Sequence, residues 1–282
     1  MTYMDSNRKR VGICEWVLPF VGVEAIECAA RIGFDCIQIA ERGGSEAGYP
    51  LSDQRIQDEY RRAIDHTGLQ IHSLHLWTLC RQACMIHPLD SACGRVGLES
   101  ICEAVKACYA LEIPRLMLTS GFMCQIKNER DFVQFSESLR AACEIAGEKD
   151  ITVVFESALD VWEIKRMCDI VGPSLRICYD IFNPIRFHTA DPREEIKQIG
   201  LNKIDHFHLK DGPDNCIGCT LLGQGCGHFD EVMNIIQTLG YQGSYITENY
   251  YTASPLSEQD NFDALAHMDL KTIHRALQQQ VL

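Results

Sequence analysis

Four polar residues close four successive apolar runs of this chain. Ile151-Thr152-Val153-Val154-Phe155 leads to Glu156, and Leu175-Arg176-Ile177-Cys178-Tyr179 leads to Asp180. Ile204-Asp205-His206-Phe207 leads to His208, and Tyr245-Ile246-Thr247 leads to Glu248. Two Glu, one Asp and one His form an oxygen-rich donor set suited to one divalent ion, Mn²⁺, Mg²⁺, Co²⁺ or Zn²⁺. A single acid after a strand is ordinarily a helix N-cap or a solvated loop residue. Four in succession imply strands that run the same way and share one end.

Eight apolar runs alternate with helical patterns. The expected strands are Val11 to Trp16, Phe34 to Ala40, Leu69 to Leu76, Pro114 to Thr119, and four more ending at Glu156, Asp180, His208 and Glu248. Between them the periodicity predicts helices over Val21 to Ile32, Asp53 to Thr67, a stretch ending near Leu111, Asp131 to Glu148, Asp160 to Val171, Asp191 to Leu201 and Phe229 to Leu239, with a last one over Asn261 to Gln279. Gly33, Gly68, Gly172 and Gly240 fall where helices should stop. Strand–helix alternation implies parallel strands. Eight pairs within 282 residues fit a single (β/α)₈ TIM barrel over residues 1–282. No Gly-x-Gly-x-x-Gly follows the first strand, which removes the main support for a dinucleotide fold. In such a barrel the four polar residues meet at one mouth, and three carboxylates gathered there repel one another unless a cation sits between them.

The net charge of −13 argues against a nucleic-acid partner. No apolar run approaches a membrane span, and Met1 to Arg10 is polar, without the apolar core of a signal peptide. A cytosolic protein acting on a small molecule is the expectation, with its oligomeric state left open. The 15 cysteines are scattered without framework spacing and read as reduced thiols, many in the core.

The motifs resemble the sugar isomerase/epimerase family with a xylose-isomerase-like barrel. The resemblance rests on Val154-Phe155-Glu156, Tyr179-Asp180-Ile181-Phe182-Asn183, His206-Phe207-His208-Leu209-Lys210-Asp211 and Thr247-Glu248-Asn249, then on Leu222-Gly223-Gln224-Gly225, Phe229-Asp230 and Gly240-Tyr241-Gln242-Gly243. It spans the chain in arrangement and is specific from Glu156 onward. It implies that Glu156, Asp180, His208 and Glu248 hold one divalent ion, often Mn²⁺. It selects His208 over His206, which shares the same strand face one layer deeper. It also implies a carbohydrate substrate, with Glu156 and Glu248 moving protons next to a carbonyl. Lys210 then holds a substrate oxygen or joins the acid–base chemistry; its plainer reading is a surface lysine.

The chain departs from the ketose 3-epimerases of that family at Asn183, where they carry His, at Trp162, where they carry Glu, and at Asp214, where they carry Arg. Asp-x-x-Asn and His-Leu-Lys-Asp are closer to the inosose dehydratase branch, so a metal-dependent dehydratase or lyase stands as the alternative. An endonuclease IV-like site is disfavoured: Leu118-Thr119-Ser120 and Asn183 stand where that group has histidines. A non-catalytic sugar-binding barrel is the remaining alternative.

Weaker signals surround this set. His75, near the end of the third strand, reads as a substrate or acid–base group or as a core histidine. Trp16 and Trp77 read as walls for a sugar ring or as packing aromatics. Glu41, after the second strand, reads as a substrate contact or a loop residue. Cys216-x-x-Cys219 with Cys226 offers half of a thiolate metal site, without its second half.

Overall fold

The structure, a computed structural model, describes residues 9–187, 190–213 and 215–279. Asp214, one of the positions singled out above, lies outside them. Eight strands close in sequence order into a barrel: β1 (Val11–Cys14), β2 (Cys36–Glu41), β3 (Gln70–Leu76), β4 (Arg115–Thr119), β5 (Thr152–Glu156), β6 (Leu175–Asp180), β7 (Ile204–Leu209) and β8 (Ser244–Thr247). Every pairing is parallel, and β8 returns to β1. Aliphatic and aromatic runs take this form because a barrel strand is covered on both faces, by helices outside and by neighbouring side chains inside.

The main helices are α1 (Val23–Ile32), α2 (Gln54–Thr67), α3 (Trp77–Gln82), α4 (Ala92–Ala110), α5 (Glu129–Gly147), α6 (Val161–Val171), α7 (Asn183–Phe187), α8 (Pro192–Ile199), α9 (Phe229–Thr238) and α10 (Phe262–Gln278). Short polar residues start them: Asp53, Ser91, Asn128, Asp160, Asp191 and Asn261 each accept a backbone N–H of the first turn, an arrangement contributing about 1 kcal/mol apiece. At Gly33 (φ 106) and Gly68 (φ 72) the chain turns left-handed to end α1 and α2.

The fold matches the expected barrel, with local differences. The first strand stops at Cys14 rather than Trp16, because Glu15–Val17 turns into a 3-10 segment. Buried Glu15 fixes that turn by accepting from Gly22 N at 2.6 Å and Ala40 N at 2.8 Å. The long segment after β3 contains α3, and α7 forms directly after β6. The expectation of reduced thiols throughout is corrected at one pair: Cys216 and Cys219 are joined as a disulfide. Thirteen other cysteines are free. Among the described residues, no helix is long and apolar enough to cross a membrane.

Between sheet and helices lies one continuous apolar layer that includes Phe132, Phe135, Phe155, Phe207 and Tyr245. Each such side chain contributes roughly 1.5–3 kcal/mol by leaving water. Inside the barrel, Met117, Val154 and Cys178 form a small apolar plug beneath Trp16. Buried polar side chains, Gln38, His72, Ser73 and His206, share the barrel interior with it.

Candidate functional site

The barrel brings the four strand-end residues together. Asp180 faces His208 across the β6–β7 pairing. Glu156 ends β5, and Glu248 directly follows β8. All four are buried, and one ligand atom from each lies within 4.8 Å of the others. His208 Nδ1 stands 3.4 Å from Glu248 Oε2 and 3.7 Å from Glu156 Oε1. Ligands bound at ~2.1 Å to one ion sit roughly 3.0–3.4 Å apart at octahedral or tetrahedral angles. The cluster is therefore slightly wider than a filled site, by a margin side chains readily close.

Charge and hydrogen bonding test whether these residues suit a cation. Lys210 Nζ contacts Asp180 Oδ2 and Glu248 Oε2, both at 2.7 Å. With His208 neutral, as a metal ligand has to be, three carboxylates against one ammonium leave −3 + 1 = −2 in a buried space, a balance that one divalent cation cancels. His208 Nδ1 has no hydrogen-bond partner among the described residues, although it is fully enclosed. Burial opposes charge on His208, but Cys178, Cys14 and the Glu248 carboxylate raise its pKa well above the ordinary histidine value; a divalent ion bound here would take the place of that proton. The residues thus fit a divalent ion.

The electrostatics follow from the same crowding. Burial opposes charge on Lys210, but Asp180, Glu248 and Glu156 hold it protonated, its pKa well above the ordinary lysine value. Burial pushes Glu248 up, yet Lys210 and His208 outweigh it and hold the carboxyl well below the usual range. For Asp180 burial wins over Lys210, aided by Glu248 and Glu156, and lifts it to about 6. Neighbouring carboxylates with pKa values driven apart are characteristic of functional sites.

Above the cluster opens a cavity of about 460 Å³. Of the residues singled out in the sequence, Trp16, His75, Trp77, Asn183, Lys210, Glu156 and Glu248 line it. Trp16 Nε1 donates to Glu248 Oε1 at 2.7 Å, and its ring lies 5.1 Å from that of His75 and 6.1 Å from that of Trp77. Burial holds His75 at about 4, a neutral ring at neutral pH. Its Nε2 is 3.1 Å from Thr119 Oγ1, which in turn donates to Glu156 Oε2 at 3.4 Å. Asn183 Nδ2 donates to the other oxygen, Glu156 Oε1, at 3.3 Å.

Glu41 does not line this cavity. Its two carboxylate oxygens accept from Gly43 N at 2.7 Å and Leu51 N at 2.9 Å, so it shapes the loop after β2. Trp162 is 65% exposed on α6, away from the cavity. His206 packs beneath His208, ring centroids 5.4 Å apart.

Several residues went unnoticed in the sequence. Phe122, Phe187, Ile217 and Tyr250 form the outer wall; Phe187 ends the five-residue α7 and the others sit on loops and short turns, where no periodicity marks them. Gln38, in the middle of β2, accepts from His208 Nε2 at 2.7 Å. Asp211 accepts four backbone N–H groups, from Gly212, Gly223, Gly225 and Gly227, at 2.8–3.1 Å, and so folds the loop after β7. Behind it, Asp269 of α10 accepts from Leu222 N, Asn249 Nδ2 and Tyr251 OH. Asn249 Oδ1 receives Asp211 N, which ties the β7 and β8 loops together.

A profile of the xylose isomerase-like TIM barrel family matches residues 26–269. The chain is 28% identical over 224 residues to a 2-epi-5-epi-valiolone 7-phosphate 2-epimerase of Actinoplanes sp., a match covering 77% of this chain and 78% of that protein. Its backbone resembles D-psicose 3-epimerase of Clostridium cellulolyticum H10, solved with D-tagatose, with a TM-score of 0.76 at 16% identity over 96% of this chain and 100% of that one. The D-allulose 3-epimerase of Methylomonas sp. in complex with D-allulose gives 0.73 at 19% identity, over 96% and 98%. At such identities the structural likeness speaks for the fold alone. The profile match runs from α1 into α10, across seven of the eight strands of a closed parallel barrel, and on that ground the chain belongs to the xylose isomerase-like TIM barrel family.

Proposed function

We propose that this chain is a divalent-metal-dependent isomerase or epimerase. Its substrate is a sugar or polyol-derived carbonyl compound, and its reaction begins with removal of a proton next to the carbonyl. The observation that carries this reading is the buried convergence of Glu156, Asp180, His208 and Glu248, with Lys210 beside them, at the floor of an aromatic-walled cavity. Epimerase activity in the named Actinoplanes relative supports it.

Glu156, Asp180, His208 and Glu248 would hold the ion, Mn²⁺ being the first expectation. When bound, it supplies polarisation of the substrate carbonyl. The remaining work falls to the chain. Glu156 and Glu248 approach from β5 and β8; one takes the proton and the other returns it. Asn183 and Thr119 each hold one oxygen of Glu156, and Trp16 and Lys210 do the same for Glu248, so both bases are oriented before substrate arrives. Trp16, Trp77 and His75 present ring faces to the C–H side of a sugar, and the apolar wall limits water.

A dehydratase is the second reading, favoured by Lys210: an ammonium buried beside Glu248 and Asp180 can hand a proton to a leaving hydroxyl. Incubating Mn²⁺-loaded protein with ketoses, inososes and 3-keto-glycosides in D₂O decides. Deuterium next to the carbonyl, lost on chelation and restored by Mn²⁺, is the expected result; loss of water from the product selects the dehydratase. Binding without exchange across the panel would leave a non-catalytic sugar-binding barrel instead.

A further inference from the structure

Gln38 is fully buried in β2, inside the barrel, among the buried polar side chains His72, Ser73, His206 and His208. An amide there costs several kcal/mol unless each of its polar atoms is partnered. Here they all are. Gln38 Oε1 receives His208 Nε2 at 2.7 Å and Cys14 Sγ at 3.3 Å. Gln38 Nε2 reaches Ser73 Oγ at 2.7 Å and His206 Nε2 at 3.2 Å. His206 Nδ1 lies 2.9 Å from Asp205 Oδ1, and the same oxygen takes Arg115 Nε at 2.7 Å.

Each link fixes the next. A carboxylate can only accept, so Asp205 requires the proton of His206 on Nδ1. His206 Nε2 is then an acceptor and calls for the amide NH₂ of Gln38. That orientation turns the Gln38 carbonyl to His208 and requires its proton on Nε2. The reverse orientation would set the Gln38 carbonyl against His206 Nε2 and the Met117 sulfur. It would also force a second positive charge onto a ring already beside Arg115, and leave the Cys14 thiol without its acceptor.

We propose that Gln38 is a positioning residue for the metal site: held by the Arg115–Asp205–His206 line, it fixes His208 as the Nε2–H tautomer and leaves the Nδ1 lone pair facing Glu156 and Glu248. This rests on the metal reading above. Arg115 is the first residue of β4, so the line runs from the N-terminal end of the strands and links a partly buried ion pair to the ligand cluster. A metal-ligating imidazole is commonly held through its second nitrogen, and loss of that partner weakens metal binding.

The test compares Mn²⁺ affinity, by titration calorimetry, in wild-type protein, Gln38→Leu and Gln38→Glu. Gln38→Leu removes the acceptor and should lose about 10- to 100-fold in affinity. Gln38→Glu keeps an acceptor facing His208 Nε2 and should retain affinity. A pure packing role predicts the opposite order, because Leu fills the space without a charge to desolvate and a buried carboxylate does not; that order overturns the proposal. ¹⁵N-imidazole spectra of the Zn²⁺-loaded wild type give a readout that needs no variant to fold: His208 protonated on Nε2 is expected, and on Nδ1 is contrary. A wild type that takes up neither ion brings down the metal reading itself, whereas normal uptake with an unaffected Gln38→Leu protein brings down only the role of Gln38.

Discussion

Buried carboxylates stand at both halves of the barrel mouth, and they do different work. In the first half, Glu15 and Glu41 follow β1 and end β2, and both of their oxygens accept backbone N–H groups. In the second half, Glu156, Asp180 and Glu248 face one another, Lys210 and His208. Residue type and strand-end position are the same; what each carboxylate faces is not. A carboxylate surrounded by N–H donors is satisfied and stays structural. One surrounded by other carboxylates is left short of positive charge, and that shortage is what a metal and a substrate can answer.

The sharpest way to break this contrast is a matched pair of amide substitutions. Glu156→Gln should lower solvent exchange and kcat/KM by about 10³-fold, in the range of a lost general acid–base group. Glu41→Gln should leave the rate nearly intact while reducing stability by about 1–3 kcal/mol, since its new NH₂ faces a backbone donor. Denaturant titration together with the exchange assay measures both. Equal rate losses in the two proteins would erase the distinction between the halves.

The support behind the second half has a pH signature. Asp269 accepts three donors, yet burial still lifts it to about 6 from 3.8. The folded state therefore binds more protons than the unfolded chain between about pH 4 and 6. The contribution of this group to stability rises as pH falls through 6 and is complete below 4. The rise is worth about 3 kcal/mol at most. Unfolding curves from pH 7 to 4 should show the wild type gaining on Asp269→Asn; a constant gap would mean Asp269 titrates normally.

The smallest effect joins the halves. Trp16 belongs to the neutral side, but its Nε1 holds Glu248 Oε1. Trp16→Phe keeps the ring and removes that bond, and a loss of about 10-fold in kcat/KM is expected from one hydrogen bond to a charged group. If the loss falls on KM alone, Trp16 acts as a wall and not as a support for the base.

Sequence reading found the barrel because alternating apolar runs and left-handed glycines are local signals. It found Glu156, Asp180, His208 and Glu248 because each ends such a run beside a recognisable fragment. It could not separate Glu41 from them, because the donors that occupy Glu41 come from Gly43 and Leu51, in a loop whose path no periodicity reveals. Gln38 was hidden for a related reason: one polar residue inside an apolar strand gains meaning only when β3 and β7 bring Ser73, His206 and His208 to it. The outer wall of Phe122, Phe187 and Ile217 comes from turns and the five-residue α7, which the sequence marks only as breaks.

Asp211 sets the path of the loop after β7. One carboxylate gathers the N–H groups of Gly212, Gly223, Gly225 and Gly227, so the two ends of the segment are pinned at a single point. A Cβ on Gly225 or Gly227 would come within 2.2 or 2.7 Å of that carboxylate, which leaves no room for other residues there. The segment from Gly212 to Gly223 carries Ile217 to the cavity and anchors itself in the core through Leu221 and Leu222. The point that fixes this wall of the cavity is thus one residue beyond Lys210, so a single carboxylate sets the path of the loop and the stem of the buried ammonium together.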